Sequence, residues 1–125
     1  MEDIRVLIVA DMPQVRQWLA TLLDLAARRI SLKVIGEASN GSEAVQLARE
    51  LQPDVVLMDL EMPILDGFEA TRQIKTLLPA VRVVILSLHA GPEEVQSARE
   101  AGADGFVTKG ASYETLLNTI LSLNG

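Results

Sequence analysis

The sequence predicts an α/β fold in which a parallel sheet is covered by helices on both faces. Three observations predict it. Five short apolar runs rich in branched residues alternate strictly with five stretches of helical periodicity. Turn and capping residues punctuate nearly every junction. The connections are short, as expected for right-handed β-α-β crossovers.

The first run, Ile4 to Ala10, reads as a buried strand, short and β-branched. Met12 and Pro13 open a helix, with the proline in the first turn, where its missing N–H costs nothing. Val15, Leu19, Leu22, Leu23 and Ala26 form its apolar stripe. Leu32 to Ala38 is a second, weaker strand, and Asn40-Gly41 marks a turn. Ser42 is expected to cap the next helix, which turns Ala44, Val45, Ala48 and Leu51 inward.

Pro53 and Asp54 lead into the third strand, Val55 to Leu60. Asp66 and Glu69 resemble a capping box for a helix carrying Phe68, Ile74 and Leu78, which Pro79 stops. Val83 to Leu86 is the fourth strand. Pro92 starts a fourth helix running to Gly102, a fitting C-terminal stop. Gly105 to Thr108 is the fifth strand, and Ser112 caps a last helix with Leu116, Leu117, Ile120 and Leu121 on its buried side. Five such units suit a flavodoxin-like (βα)5 three-layer sandwich with strand order 2-1-3-4-5. No repeat, low-complexity tract or linker interrupts the pattern, so residues 1–125 read as one domain.

Bulk properties narrow the function. A chain of 125 residues has room for one sizeable core. With 49% hydrophobic and 22% charged residues it is globular rather than disordered. It has no cysteine, which removes disulfides, thiolate metal sites and cysteine nucleophiles. The formal charge of -6 argues against nucleic acid contact by this segment. Met1 to Asp3 is acidic and no apolar run approaches membrane-spanning length, so a cytoplasmic protein without leader or anchor is expected.

In a sheet of this order ligands bind beyond the carboxyl ends of the strands, near the point where strand order reverses. The residues delivered there are Asp11 after the first run, Asp59 and Glu61 at the third, Ser87 and His89 after the fourth, and Lys109 after the fifth. Asp11 and Asp59, on adjacent strands, repel unless a cation lies between them. Mg²⁺ suits two carboxylates and a phosphate. An ionised aspartate is also a nucleophile for a phosphoryl group. Lys109, the Ser87 hydroxyl and the metal would share the charge on the phosphoryl oxygens.

VVLMDLEMPILDGFEATRQI from Val55, VVILSLHA from Val83 and AGADGFVTKGAS from Ala101 stand in order on the expected elements. With these motifs the chain resembles response-regulator receiver domains of two-component signalling over nearly its whole length. It is similar to the single-domain chemotaxis receiver, and more similar to receivers of LuxR/NarL-type transcription factors. The resemblance implies Asp59 as phosphoacceptor for a sensor histidine kinase. It implies Asp11, Asp59 and the Glu61 backbone carbonyl as Mg²⁺ ligands, Ser87 and Lys109 as phosphoryl partners, and Phe106 as the switch aromatic. It further implies a changed protein interface as output, a phosphorylation-favoured homodimer, and an effector helix-turn-helix DNA-binding domain if the natural chain extends past Gly125. The receiver would be a phosphoacceptor and not an enzyme in the ordinary sense.

Departures from the family pattern keep a second reading open, that of a receiver-like binding module independent of phosphorylation. Ala10 stands where members usually carry a second acidic residue, which predicts weaker metal binding. Leu88 is larger than the usual neighbour of the switch hydroxyl and is expected to narrow access to Asp59. Gly110 after Lys109 fits the LuxR/NarL-type subset.

Simpler roles compete at most positions. Asp11 can serve as a helix cap instead of, or beside, a metal ligand. Phe106 can be only a core aromatic, and Ser87 can merely satisfy backbone groups. His89, the only histidine, reads as a solvated loop residue before a tuner of dephosphorylation. The Glu61 side chain has an open role. Trp18 is expected to be partly buried rather than a partner contact, and Arg28 and Arg29 form a solvated helix end. Two enzymes fit less well. A flavodoxin needs a hydroxyl-rich phosphate loop where this chain has ADMPQV. A haloacid-dehalogenase-type phosphatase needs a second aspartate at position 61.

Overall fold

Alternation along each central strand decides which helix meets which face of the sheet. The computed structural model describes residues 3–62 and 65–124; Pro63 and Ile64, inside the motif that begins at Val55, lie outside the described residues. Five strands, β1 (Ile4–Val9), β2 (Leu32–Ala38), β3 (Val55–Asp59), β4 (Arg82–Ser87) and β5 (Gly105–Thr108), pair in parallel in the order β2-β1-β3-β4-β5. Between and after them run α1 (Pro13–Ala26), α2 (Gly41–Leu51), α3 (Gly67–Leu77), α4 (Pro92–Glu100) and α5 (Tyr113–Asn124). The expected fold is the observed one.

Leu7 and Val9, Val56 and Met58, and Val83 and Ile85 face one side of the sheet, where they pack with Ala44 and Ala48 of α2, Ala70 and Ile74 of α3 and Ala98 of α4. Val6 and Ile8, Val55 and Leu57, and Val84 and Leu86 face the other side, against Leu19 and Leu23 of α1 and Leu116 and Ile120 of α5. The period of two in the strands thus builds two cores on one sheet. Burying one such leucine or isoleucine contributes about 1.5–3 kcal/mol, so the central strands fix the register firmly. Val9 lies opposite Met58, Asp59 opposite Leu86 and Ser87 opposite Thr108. That register brings Asp59, Ser87 and the residue after Thr108 to one edge.

Several local expectations need correction. The first strand ends at Val9; Ala10 is still fully buried and donates its N–H to the Ala38 carbonyl at 3.0 Å. Asn40, not Ser42, caps α2: its Oδ1 accepts the Glu43 N–H at 2.9 Å, while the Glu43 carboxylate reaches back to the Ser39 N–H at 3.1 Å. Asn40 wins because it precedes the first helical residue, whereas Ser42 is already inside the helix. Half of the capping box at α3 forms. Asp66 accepts the Glu69 N–H at 2.9 Å, but the Glu69 side chain turns to Arg72 and Gln73. Leu121 is 37% exposed, because the α5 stripe that meets the sheet is carried by Leu116, Leu117 and Ile120.

Other signals read as expected. Pro13 and Pro92 occupy first-turn positions. The Ser112 hydroxyl accepts the Thr115 N–H at 3.2 Å. Gly102 follows α4 with φ +96°, a left-handed conformation in which a side chain is strained.

Candidate functional site

Asp59 is the last residue of β3 and is only 2% exposed. A carboxylate ending a strand inside the sheet needs compensation, and Lys109 supplies it. Its Nζ lies 2.6 Å from Asp59 Oδ1. The lysine is placed by backbone pairing, since its N–H donates to the Ser87 carbonyl at 2.7 Å just beyond the β4–β5 ladder. The Glu61 N–H also donates to Asp59 Oδ1, at 3.2 Å. The other oxygen, Oδ2, takes part in neither contact.

Glu61 closes the other side of the cluster. Its Oε2 lies 3.0 Å from Lys109 Nζ, and its Oε1 accepts from the Ser87 hydroxyl at 3.1 Å and the Leu88 N–H at 3.4 Å. Ser87 is 1% exposed, and its hydroxyl also accepts the His89 N–H at 3.2 Å. Three strand ends therefore deliver two carboxylates, one hydroxyl and one ammonium to a single network.

Burial raises the Asp59 carboxyl above the usual range, against the downward pull of Lys109. Burial pushes Glu61 up as well, but the Lys109 hydrogen bond and charge, with the Asp59 and Leu88 contacts, outweigh it and hold Glu61 below the usual range. Burial also lowers Lys109, and the two carboxylates overcome it, so the ammonium is held above its usual value. Lys109 is a fixed cation between two unequal acids.

Asp11 follows β1, the neighbour of β3, and its side chain is exposed. It does not cap α1: the capping residue is Met12, which makes no side-chain cap bond. The Asp11 backbone is held by Arg16, whose Nη1 donates to the Ala10 carbonyl at 2.7 Å and to the Asp11 carbonyl at 3.0 Å. Arg16 in turn pairs with Glu37 at 3.6 Å. The Glu61 carbonyl accepts none of the hydrogen bonds among the described residues. Among those residues no group of three or more His, Cys, Asp or Glu side chains is gathered to hold a metal by itself. Asp11 shares no hydrogen bond or ion pair with the Asp59 network among the described residues; together with Asp59 Oδ2 and a backbone carbonyl it would make an all-oxygen donor set, of the kind that suits a hard cation keeping several waters.

The remaining positions are quickly placed. Phe106 is half-buried on β5 and packs against the core on the α4 side. Leu88 is 63% exposed, so its bulk stands largely in solvent. The His89 side chain is exposed, as are Arg28 and Arg29, the latter pairing with Glu114 at 2.7 Å. Trp18 is 38% exposed at α1. The roles of Arg16 and the Glu61 side chain were not legible in the sequence. Both act across elements, and no local motif marks them.

A doubly wound sheet of order 2-1-3-4-5 whose carboxyl edge presents a buried aspartate, a paired lysine and a strand-end hydroxyl has the architecture of a receiver domain. The family model for the response regulator receiver domain matches residues 6–121, and the chain belongs to that family. A curated relative, the transcriptional regulatory protein LnrK of Bacillus subtilis (strain 168), is 39% identical over 121 residues, covering 97% of this chain and 54% of the relative. The chain thus spans about half the length of the curated relatives it matches. A two-component response regulator of the LuxR family from Aurantimonas sp. SI85-9A1 superposes with a TM-score of 0.90 at 38% identity, covering 99% of this chain and 87% of that one. The signal receiver domain of the putative response regulator NarL from Mycobacterium tuberculosis gives 0.91 at 31% identity, over 100% of this chain and 99% of that one. Among the described residues no helix is long and apolar enough to cross a membrane.

Proposed function

We propose that this chain is a cytoplasmic phosphorylation switch in which Asp59 accepts a phosphoryl group from the phosphohistidine of a sensor histidine kinase. The 2.6 Å contact between Lys109 and the buried Asp59 carboxylate carries this reading. The ammonium pulls against burial toward the ionised, nucleophilic form of the carboxylate, and it stands beside the site where new negative charge would arrive.

In the transfer, one Asp59 oxygen forms a bond to phosphorus as the P–N bond to the donor imidazole breaks. The electron pair of that bond stays on the imidazole nitrogen, which then takes a proton from solvent. Lys109 and the Ser87 hydroxyl hold the phosphoryl oxygens. Asp11, the Asp59 carboxylate and the Glu61 carbonyl would hold Mg²⁺, which when bound offsets the repulsion between anionic nucleophile and anionic donor. Lys109 must then exchange part of its contact with Asp59 for the phosphoryl group.

Ser87 and Phe106 lie on β4 and β5, and a shift of the hydroxyl toward the phosphoryl group is passed to the half-buried aromatic ring and the α4–β5 surface. That change favours a homodimer and, where the natural chain carries a DNA-binding effector domain, alters the contact with it; the regulatory name and greater length of the LnrK relative support the second output. Incubation with MgCl₂ and phosphoramidate, read by intact mass, tests the reading. Wild type gains one phosphoryl group and Asp59→Asn gains none; a wild type that stays unmodified, with the small donor and with a histidine kinase alike, overturns it.

A further inference from the structure

Glu61 is the one member of the network that neither the proposed transfer nor the metal ligation by its backbone assigns a side-chain role. Its carboxylate is not idle. Three donors from two other strand ends converge on it: Lys109 Nζ at 3.0 Å, the Ser87 hydroxyl at 3.1 Å and the Leu88 N–H at 3.4 Å. Lys109 and Ser87 are the same groups that would hold phosphoryl oxygens. A carboxylate and a phosphoryl group are both oxyanions and satisfy the same donors. These donors cannot serve both at full strength. With Glu61 in place, a phosphoryl group on Asp59 would put two competing anions, a doubly charged phosphoryl group and a carboxylate, around one ammonium.

The Glu61 side chain is also free to leave. It is 43% exposed, whereas Ser87 is 1% exposed and the Asp59 side chain 3%. The donors are fixed by strands; the acceptor sits on the loop after β3. Moving the acceptor costs little beyond the hydrogen bonds themselves, because its carboxylate regains water outside.

We propose that Glu61 is a resident competitor: its carboxylate fills the anion site formed by Lys109, Ser87 and the Leu88 N–H, and it must swing into solvent before a phosphate or phosphoryl group can occupy that site. This rests on the phosphoacceptor reading only for its consequence, slower phosphorylation. The occupancy itself stands on the contacts. Glu61 is on this account a specificity-determining residue that excludes weakly bound anions and yields only to a ligand with more charge or a covalent anchor.

The test uses the whole chain and three variants. Glu61→Asp keeps the charge but is one methylene too short to span both Lys109 and Ser87; Glu61→Gln and Glu61→Ala remove the charge. Each protein is titrated with inorganic phosphate in metal-free buffer, following the Leu88 and Lys109 backbone amide signals by NMR. Each is also phosphorylated with phosphoramidate and MgCl₂ and followed by intact mass. Glu61→Asp and Glu61→Ala are expected to bind phosphate about three- to tenfold more tightly than wild type, the range for losing competing charge-assisted bonds, and to accept phosphoryl groups faster by a similar factor. A Glu61→Asp protein that binds phosphate like wild type overturns the proposal, because charge alone then explains any gain in the other two. If phosphate binding tightens as expected while no protein gains a phosphoryl group, the competitor stands and the phosphoacceptor reading falls.

Discussion

Lys109 Nζ lies 2.6 Å from Asp59 Oδ1, tying the residue after β5 to a carboxylate at the end of β3 that is only 2% exposed. The pair is largely desolvated on the acid side. Removing the cation therefore leaves an unmatched buried charge. Lys109→Met is expected to cost about 3 kcal/mol of folding stability at pH 7, in the range for breaking a buried pair.

The pH dependence of that cost follows from the direction of each shift. Burial holds Asp59 above its usual range, so the folded state favours its protonated form. Such a group contributes its full stability below the unfolded value and loses it as pH rises through the folded one. Without Lys109 this loss at neutral pH deepens. Glu61, held low, contributes above its unfolded value and loses that contribution as pH falls through the folded one. As pH falls, wild type loses the Glu61 contribution that Lys109 supplies, and the variant is relieved by protonation of Asp59, so the two converge. Urea unfolding at pH 7 and at about pH 4, the usual carboxylate range, checks this: the gap narrows in acid, and a constant gap contradicts it.

Asp59→Asn should act in the opposite direction on stability. It removes a carboxylate whose ionised form burial disfavours, and Lys109 keeps Glu61 as a partner. An increase in stability at pH 7 is expected, shrinking as pH falls through the raised carboxyl pKa. Thermal unfolding at neutral and acidic pH measures it. A destabilised variant at pH 7 would mean that the Lys109 bond outweighs burial.

Arg16 holds the backbone that presents Asp11, through the Ala10 and Asp11 carbonyls. Arg16→Ala is expected to weaken Mg²⁺ binding by about tenfold, the scale for removing a support of a ligand. Arg16→Lys should restore little, because one ammonium replaces a planar fork that also reaches Glu37. Isothermal titration with MgCl₂ gives the affinities. Unchanged affinity in Arg16→Ala would separate Asp11 from the metal.

Gly67 opens α3 directly over the end of β3. A Cβ there would meet the Asp59 carbonyl oxygen at 2.7 Å and Leu60 Cα at 2.9 Å, both backbone atoms that cannot swing aside. Gly67→Ala is expected to destabilise by about 1–3 kcal/mol, as overpacking does, and to slow phosphorylation by displacing Asp59. Denaturant midpoints and intact-mass time courses test the two effects together.

The fold was legible in the sequence because its signals are local and repeated. Branched runs, first-turn prolines at 13 and 92, and Gly102 at a left-handed position each report on their own few residues. The placement of Asp59, Ser87 and Lys109 on one edge also followed, since parallel order fixes which strand ends converge. What the sequence hid depends on side chains meeting across elements. Nothing local tells that Glu61 bends toward Ser87 and Lys109, or that Arg16 reaches back to the Ala10 carbonyl. Asn40 displaced Ser42 as a cap for a subtler reason, a two-residue difference in where the helix begins. The bulk of Leu88, suggestive in the sequence, stands mostly in solvent.

The most direct measurement traps the phosphorylated residue chemically. Wild-type protein treated with phosphoramidate and MgCl₂ is reduced with borohydride, which converts an aspartyl phosphate to homoserine with release of phosphate, and is then mapped by peptide mass spectrometry. Homoserine at position 59 alone, absent from Asp59→Asn, is the expected result. Homoserine at another aspartate, or none under conditions where a known receiver is labelled, would contradict Asp59 as the acceptor.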